Sequence, residues 1–169
     1  MRRISWLVLA LCLSCLSSFA QPRPTPLVDL SGTYSYVRFE KTNYNGASVS
    51  FALNTNKWLG LVADVGGYHE AVKSGFKSSD LVSYLFGPRV SYRSDERITP
   101  FAQVLLGGVY DTAISRNTIA LSAGGGFDVK IDPHVSLRLA QADYLLTRFG
   151  EQTQNSVRLS TGLVFHFGK

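Results

Sequence analysis

Few residues of this chain have side chains suited to chemistry, and they are scattered. There are three histidines and two cysteines. His69 stands beside Glu70, His134 follows Pro133, and His166 lies in the last alternating stretch, so no two share the i, i+4 spacing of a metal-binding pair. A base at His69 would need a nucleophile and a carboxylate converging on it, and the candidates Ser79 and Ser115 sit in loop-like sequence without a hydrolase motif. The run Gly124-Gly125-Gly126 has the composition of a phosphate loop, but no helix pattern follows it. Inside an alternating stretch it reads instead as room for the close approach of an interior side chain. The expectation is a protein that is not an enzyme, with no catalytic, cofactor-binding or metal site. What remains is a set of polar residues, Asp64, Arg89, Gln103, Asp128, Arg138 and Arg158, whose use depends on the elements that carry them.

The opening MRRISWLVLALCLSCLSSFA joins two arginines to an apolar run from Ile4 to Leu16 and places Ser18 and Ala20 before a cut at Gln21. This is the pattern of an export signal over residues 1–20, with an apolar run too short to span a bilayer as a helix. Leu13-Ser14-Cys15 offers a rival processing site with lipidation at Cys15. Cutting after Ala20 removes both cysteines and leaves no thiol or disulfide. Residues 21–26 (QPRPTP) are proline-dense and read as an extended lead-in, and 27–169 as one folded domain. The formal charge of +5 includes Arg2 and Arg3, so the mature excess is 15 Lys and Arg against 12 Asp and Glu, or +3. With no Lys/Arg cluster, that argues against a nucleic-acid partner. Mean hydropathy is +0.05, and no later stretch could form a membrane-spanning helix.

From Leu27 onward the period is two. Eight segments follow: Leu27 to Glu40, Tyr44 to Asn54, Lys57 to Glu70, Ser79 to Arg93, Ile98 to Asp111, Asn117 to Ile131, His134 to Arg148 and Gln154 to Phe167. Each is longer than the five or six residues usual in soluble sheets and long enough to cross a bilayer as a tilted strand. Connections after the even segments (Thr55-Asn56, Ser94 to Arg97, Asp132-Pro133) are expected to be tight and those after the odd segments looser, as in barrels with short turns on one side.

The alternation sorts Val82, Tyr84, Phe86, Val90 and Tyr92 from Ser83, Gly87, Arg89, Ser91 and Arg93, and Ile119, Leu121, Phe127 and Val129 from Ala120, Ser122, Gly124, Gly126 and Asp128. Period alone leaves open whether the apolar face points outward to lipid or inward as in a lipocalin-like carrier. Small residues on the polar face and aromatics near strand ends favour outward. Trp58, Tyr68, Tyr84, Tyr92, Tyr110, Tyr144, Phe165 and Phe167 are then an interfacial girdle. The six polar residues above fall in the lumen, where Asp64 and Asp128 are expected to meet Arg89, Arg138 or Arg158 and plug it. Arg138 and Asp143 are an odd number of residues apart. A bulge between Ala140 and Ala142 would bring both inside; otherwise Asp143 lies at the rim.

DLSGTYSYVRFE (Asp29 to Glu40), YLFGPRVSYR (Tyr84 to Arg93) followed by PFAQVLLGG (Pro100 to Gly108), and the closing LSTGLVFHF (Leu159 to Phe167) together resemble the small outer-membrane barrel family typified by the transmembrane domain of outer membrane protein A and by opacity-type proteins. The resemblance implies an all-β, eight-stranded, antiparallel up-and-down transmembrane barrel in the bacterial outer membrane, with both termini periplasmic. It implies as partners the outer-membrane lipids and lipopolysaccharide, with Lys73, Lys77 and Arg116 near the phosphates, and the barrel-assembly machinery reading the last-strand aromatics Phe165 and Phe167. The expected role is structural or interactive. The alternatives are a soluble exported carrier of a small hydrophobic ligand, a surface lipid hydrolase based on His69, and a narrow ion pore. The direction in which Phe86, Leu121 and Leu163 point separates the membrane reading from the carrier.

Overall fold

The computed structural model describes residues 25–39, 42–70, 80–93, 97–112, 115–149 and 152–168. The expected export signal, lead-in residues 21–24, and Lys73, Lys77 and Ser79 lie outside them. The strands are β1 (Val28–Phe39), β2 (Thr42–Asn54), β3 (Leu59–Glu70), β4 (Asp80–Ser91), β5 (Ile98–Asp111), β6 (Arg116–Asp132), β7 (Val135–Phe149) and β8 (Gln152–Phe167). Each pairs antiparallel with its sequence neighbour, and β8 returns to β1, closing the sheet into an eight-stranded barrel. Closure gives every strand two neighbours and removes the edges at which an open sheet would aggregate.

Period two becomes inside and outside. Along β4, burial alternates from Leu81 to Ser91 without a break. Phe86, Leu121 and Leu163 point outward, with 57%, 37% and 42% of their surface exposed. Arg138, Arg158 and Asp143 point inward, each with 1% exposed. The apolar face is therefore the outer one. Along β4 and the residue after it the face runs from Val82 to Tyr92, which at ~3.3 Å per residue and a tilt of ~40° makes a band roughly 25 Å tall.

Two expectations about the connections and the register need revision. The sorting into tight and loose ends does not hold. At the end where β1 starts and β8 finishes, here the terminal mouth, the strands are joined by 55–58, 92–97 and 133–134; at the far mouth they are joined by 40–41, 71–79, 112–115 and 150–151. Only 71–79 is longer than the connections opposite. The reason is that β2 and β8 each begin two residues earlier than the alternation suggested, with Thr42 pairing Phe39 and Gln152 pairing Phe149. The β7 irregularity lies one position earlier than expected. Register shifts between Arg138 and Gln141 against β8, and between Phe127 and Asp128 against β6. Leu139 and Ala140 both face outward, so the extra residue inverts parity and returns Gln141 and Asp143 to the interior with Arg138.

The glycine run lies where β6 is crowded from both sides. A Cβ on Gly124 would strike the Ala142 carbonyl and the Asp143 carboxylate; one on Gly126 would strike the Ala140 carbonyl and, at 3.0 Å, the Phe101 ring. Replacing Gly126 by Val should therefore displace Phe101 and lower the urea midpoint of the folded barrel by the equivalent of at least about 1–3 kcal/mol. Unfolding followed by tryptophan fluorescence in detergent micelles measures this, and an unchanged midpoint would show that the space is not needed.

Candidate functional site

The interior is built in three levels, and the middle one carries most of the charge. Arg158, on β8, reaches across the lumen. Its Nε donates to Asp143 Oδ2 at 2.9 Å, and its Nη1 donates to Asp64 Oδ1 at 2.9 Å and to Tyr68 Oη at 3.0 Å. Arg138 grips Asp128 as a fork, Nε to Oδ1 at 2.8 Å and Nη2 to Oδ2 at 3.0 Å, and donates Nη1 to Gln141 Oε1 at 3.0 Å. Planar two-point contacts of this kind fix orientation as well as charge. Gln141 and Gln103 each donate to Asp143, at 2.7 and 3.3 Å, so the two arginine clusters are joined through amides.

Arg89 is held differently. Nε and Nη2 both donate to Gln103 Oε1, at 3.1 and 2.9 Å, and among the described residues it forms no ion pair. Its guanidinium lies 4.8 Å from the centroid of the Phe101 ring, and that of Arg138 lies 4.5 Å from it. One aromatic ring thus serves two cations through its electron-rich π system. Asp64, Arg89, Gln103, Asp128, Arg138 and Arg158 are all interior, with Asp64 on Arg158 and Asp128 on Arg138.

Toward the far mouth apolar side chains join buried hydroxyls such as Thr118, Thr147 and Ser156 in the lining. Val37, Leu81, Val109 and Leu145 pack with Tyr68 around a cavity of about 10 Å³ that is also lined by Ser83 and Arg158, room for about one water molecule. Val62, Leu85, Leu105 and Ala120 extend this cluster. Toward the terminal mouth, Asp29 accepts from Asn54 Nδ2 at 2.8 Å and Arg93 Nη2 at 2.9 Å, and His166 lies against it. Hydroxyl pairs fill the wall between levels: Thr33 with Ser48 and Ser35 with Ser160, each at 2.8 Å. With Arg89, Arg93, Arg138 and Arg158 facing Asp29, Asp64, Asp128 and Asp143, the interior arginines and aspartates balance in number.

Tyr68 corrects the girdle. It is buried inside the barrel, with 6% exposed, because it shares strand parity with Asp64 four residues away; its hydroxyl accepts from Arg158. Trp58, Tyr84, Tyr92, Tyr110, Tyr144, Phe165 and Phe167 face outward, joined by Tyr34, Tyr36, Phe51 and Phe127. His69 Nδ1 lies 2.6 Å from Asp80 Oδ1 at the exposed far rim, and among the described residues no serine joins them. His134 lies 3.6 Å from Asp132 in the tight β6–β7 turn.

No family model matches this chain, and no curated protein matches it in sequence. Solved structures do. Neisserial surface protein A superposes with a TM-score of 0.62 at 16% identity, over 83% of this chain and 96% of that one. The outer membrane protein OprG from Pseudomonas aeruginosa gives 0.61 at 7% identity, over 87% and 98%. A transmembrane β-barrel designed de novo gives 0.51 at 13% identity, over 85% and 98%. At such identities the likeness is one of backbone, strand number and closure. The chain has the fold of the small eight-stranded barrels of outer membranes.

Proposed function

We propose that this chain is an exported outer-membrane barrel whose lumen is plugged by its own side chains and whose role is structural or interactive within the envelope, without turnover. One observation carries the reading: an apolar belt surrounds an interior in which the charges are paired or otherwise held, the reverse of a water-soluble barrel. Contiguous apolar surface on this scale needs acyl chains against it. The exposed aromatics toward the two ends suit headgroup depth, and Phe165 and Phe167 on β8 suit recognition of the last strand during assembly. The carrier reading loses its support because Phe86, Leu121 and Leu163 face out and the apolar cavity beside Tyr68 has room for about one water molecule. A pore is disfavoured by the same interior, since eight strands leave a lumen that side chains can fill.

Expressed with its own leader, the protein should fractionate with outer membranes, run at a different apparent mass before and after boiling, and need detergent to stay monodisperse. Recovery as a monodisperse species in plain buffer would sink the proposal. In planar bilayers the purified barrel should show no stepwise conductance, and reproducible steps would overturn the plug. Arg158→Met keeps most of the side-chain bulk but strands Asp64 and Asp143. It should cost about 3–5 kcal/mol in urea unfolding, part of which returns when Asp64→Asn and Asp143→Asn are added. An unchanged midpoint in the single variant would show that the bridge is not what holds the interior.

A further inference from the structure

At the terminal mouth, three strands that are neighbours around the barrel bring together residues far apart in the chain. Asp29 on β1 stands opposite His166 on β8, and Ser136 on β7 stands opposite Val164, two residues from His166 on the same inward face. His166 Nε2 is 2.7 Å from Ser136 Oγ, and Nδ1 of the same ring is 2.7 Å from Asp29 Oδ1. An ionised carboxylate only accepts hydrogen bonds, so Nδ1 carries the proton. In the neutral ring Nε2 then presents a lone pair, to which the Ser136 hydroxyl donates. This is the order of contacts in a nucleophile, base and orienting acid, which is recognised by geometry whatever the chain order.

The neighbours of the trio fit the same use. Asp29 Oδ2 is held by Asn54 Nδ2 and Arg93 Nη2, at 2.8 and 2.9 Å, which fixes the carboxylate while Oδ1 faces the ring. The side chains of His166 and Arg93 keep 16% and 15% of their surface exposed, so the cluster opens to the aqueous side of the mouth; Ser136, with 4% exposed, is within reach of slim molecules only. Arg138 is two residues along β7 on the same inward face. Its Nη1 extends to within 3.4 Å of Ser31 Oγ, and Ser31 and Ser136 stand on either side of Val164 in the pairing register. Arg138, held by Asp128 and Gln141, thus brings a guanidinium to the level next to Ser136.

We propose that Ser136 is an activated nucleophile and an acyl-acceptor site for small esters entering from the terminal mouth. The Ser136 proton passes to His166 Nε2 as Oγ bonds to the carbonyl carbon. The bond from that carbon to the leaving alkoxide then breaks, and the alkoxide takes the proton from Nε2, leaving acyl-Ser136 and a free alcohol. Asp29 is a positioning residue that holds the tautomer. This reactivity goes beyond the envelope role and is independent of it.

The test uses the folded barrel in detergent micelles and a small dialkyl fluorophosphonate, which forms the corresponding serine adduct with loss of fluoride. Intact mass should rise by one phosphonyl group, mapped by peptide sequencing to Ser136. Urea-unfolded protein should not react. Ser136→Ala should abolish the adduct, and His166→Gln and Asp29→Asn should slow it at least tenfold while the gel shift on boiling is retained. Absence of an adduct on Ser136 in the folded wild type, or an equal rate in a folded His166→Gln barrel, would overturn the proposal and leave the trio as a structural bridge across the closing seam. The wild-type mapping decides the matter even if a variant fails to fold, and a negative result leaves membrane fractionation and the absence of conductance untouched.

Discussion

Arg158 has to be neutralised where it stands. A guanidinium with 1% of its surface exposed, enclosed by eight strands, has no access to bulk water and relies on the carboxylates the wall can bring to it. Asp64 arrives from β3 and Asp143 from β7, on opposite sides of β8 around the ring, so the bridge forms only when the sheet has closed. Much of the rest depends on that bridge. Gln103 and Gln141 are oriented by Asp143, Arg138 by Gln141 and Asp128, and the Phe101 ring lies against the guanidinium groups of Arg89 and Arg138. Closure of the backbone and neutralisation of the interior are thus one event seen at two scales.

The alternation of residue types was enough to read the strands, their number and the two faces, because a sheet with one greasy side repeats every second residue whatever its partners are. What escaped was information that resides in partners. Tyr68 was placed on the belt because it is aromatic and near a strand end, although its even spacing from Asp64 already marked it as interior. The apolar level made by Val37, Leu81, Val109 and Leu145 escaped for a different reason. These stretches are hydrophobic on both faces, so the period fades where the interior changes character. Asp143 could be placed only by deciding whether β7 carries a bulge, and the conflict of parity with Arg138 was the signal for it.

The candidate site was legible as an inventory and not as a wiring diagram. Asp128 with Arg138 is a contact between adjacent strands and follows from near register. Arg158 with Asp64 crosses the lumen and joins residues 94 apart, and His166 with Asp29 spans 137 residues. Such pairs depend on how far each strand is staggered around the ring, which is set by the whole sheet. In the sequence the three histidines looked isolated because each sits on a different element. The fold puts one of them between a hydroxyl and a carboxylate.

The stacking of levels also makes the interior directional. Charged side chains occupy the interior from the terminal mouth, where His166 and Arg93 keep some exposure, up to Arg158, and beyond Arg158 the lining is a mostly apolar cluster with the buried hydroxyls of Thr118, Thr147 and Ser156. The charged groups are therefore gathered toward one end of the lumen. Seen this way the barrel is less like a pipe than like a cup, with its charge held below one rim and a mostly greasy base.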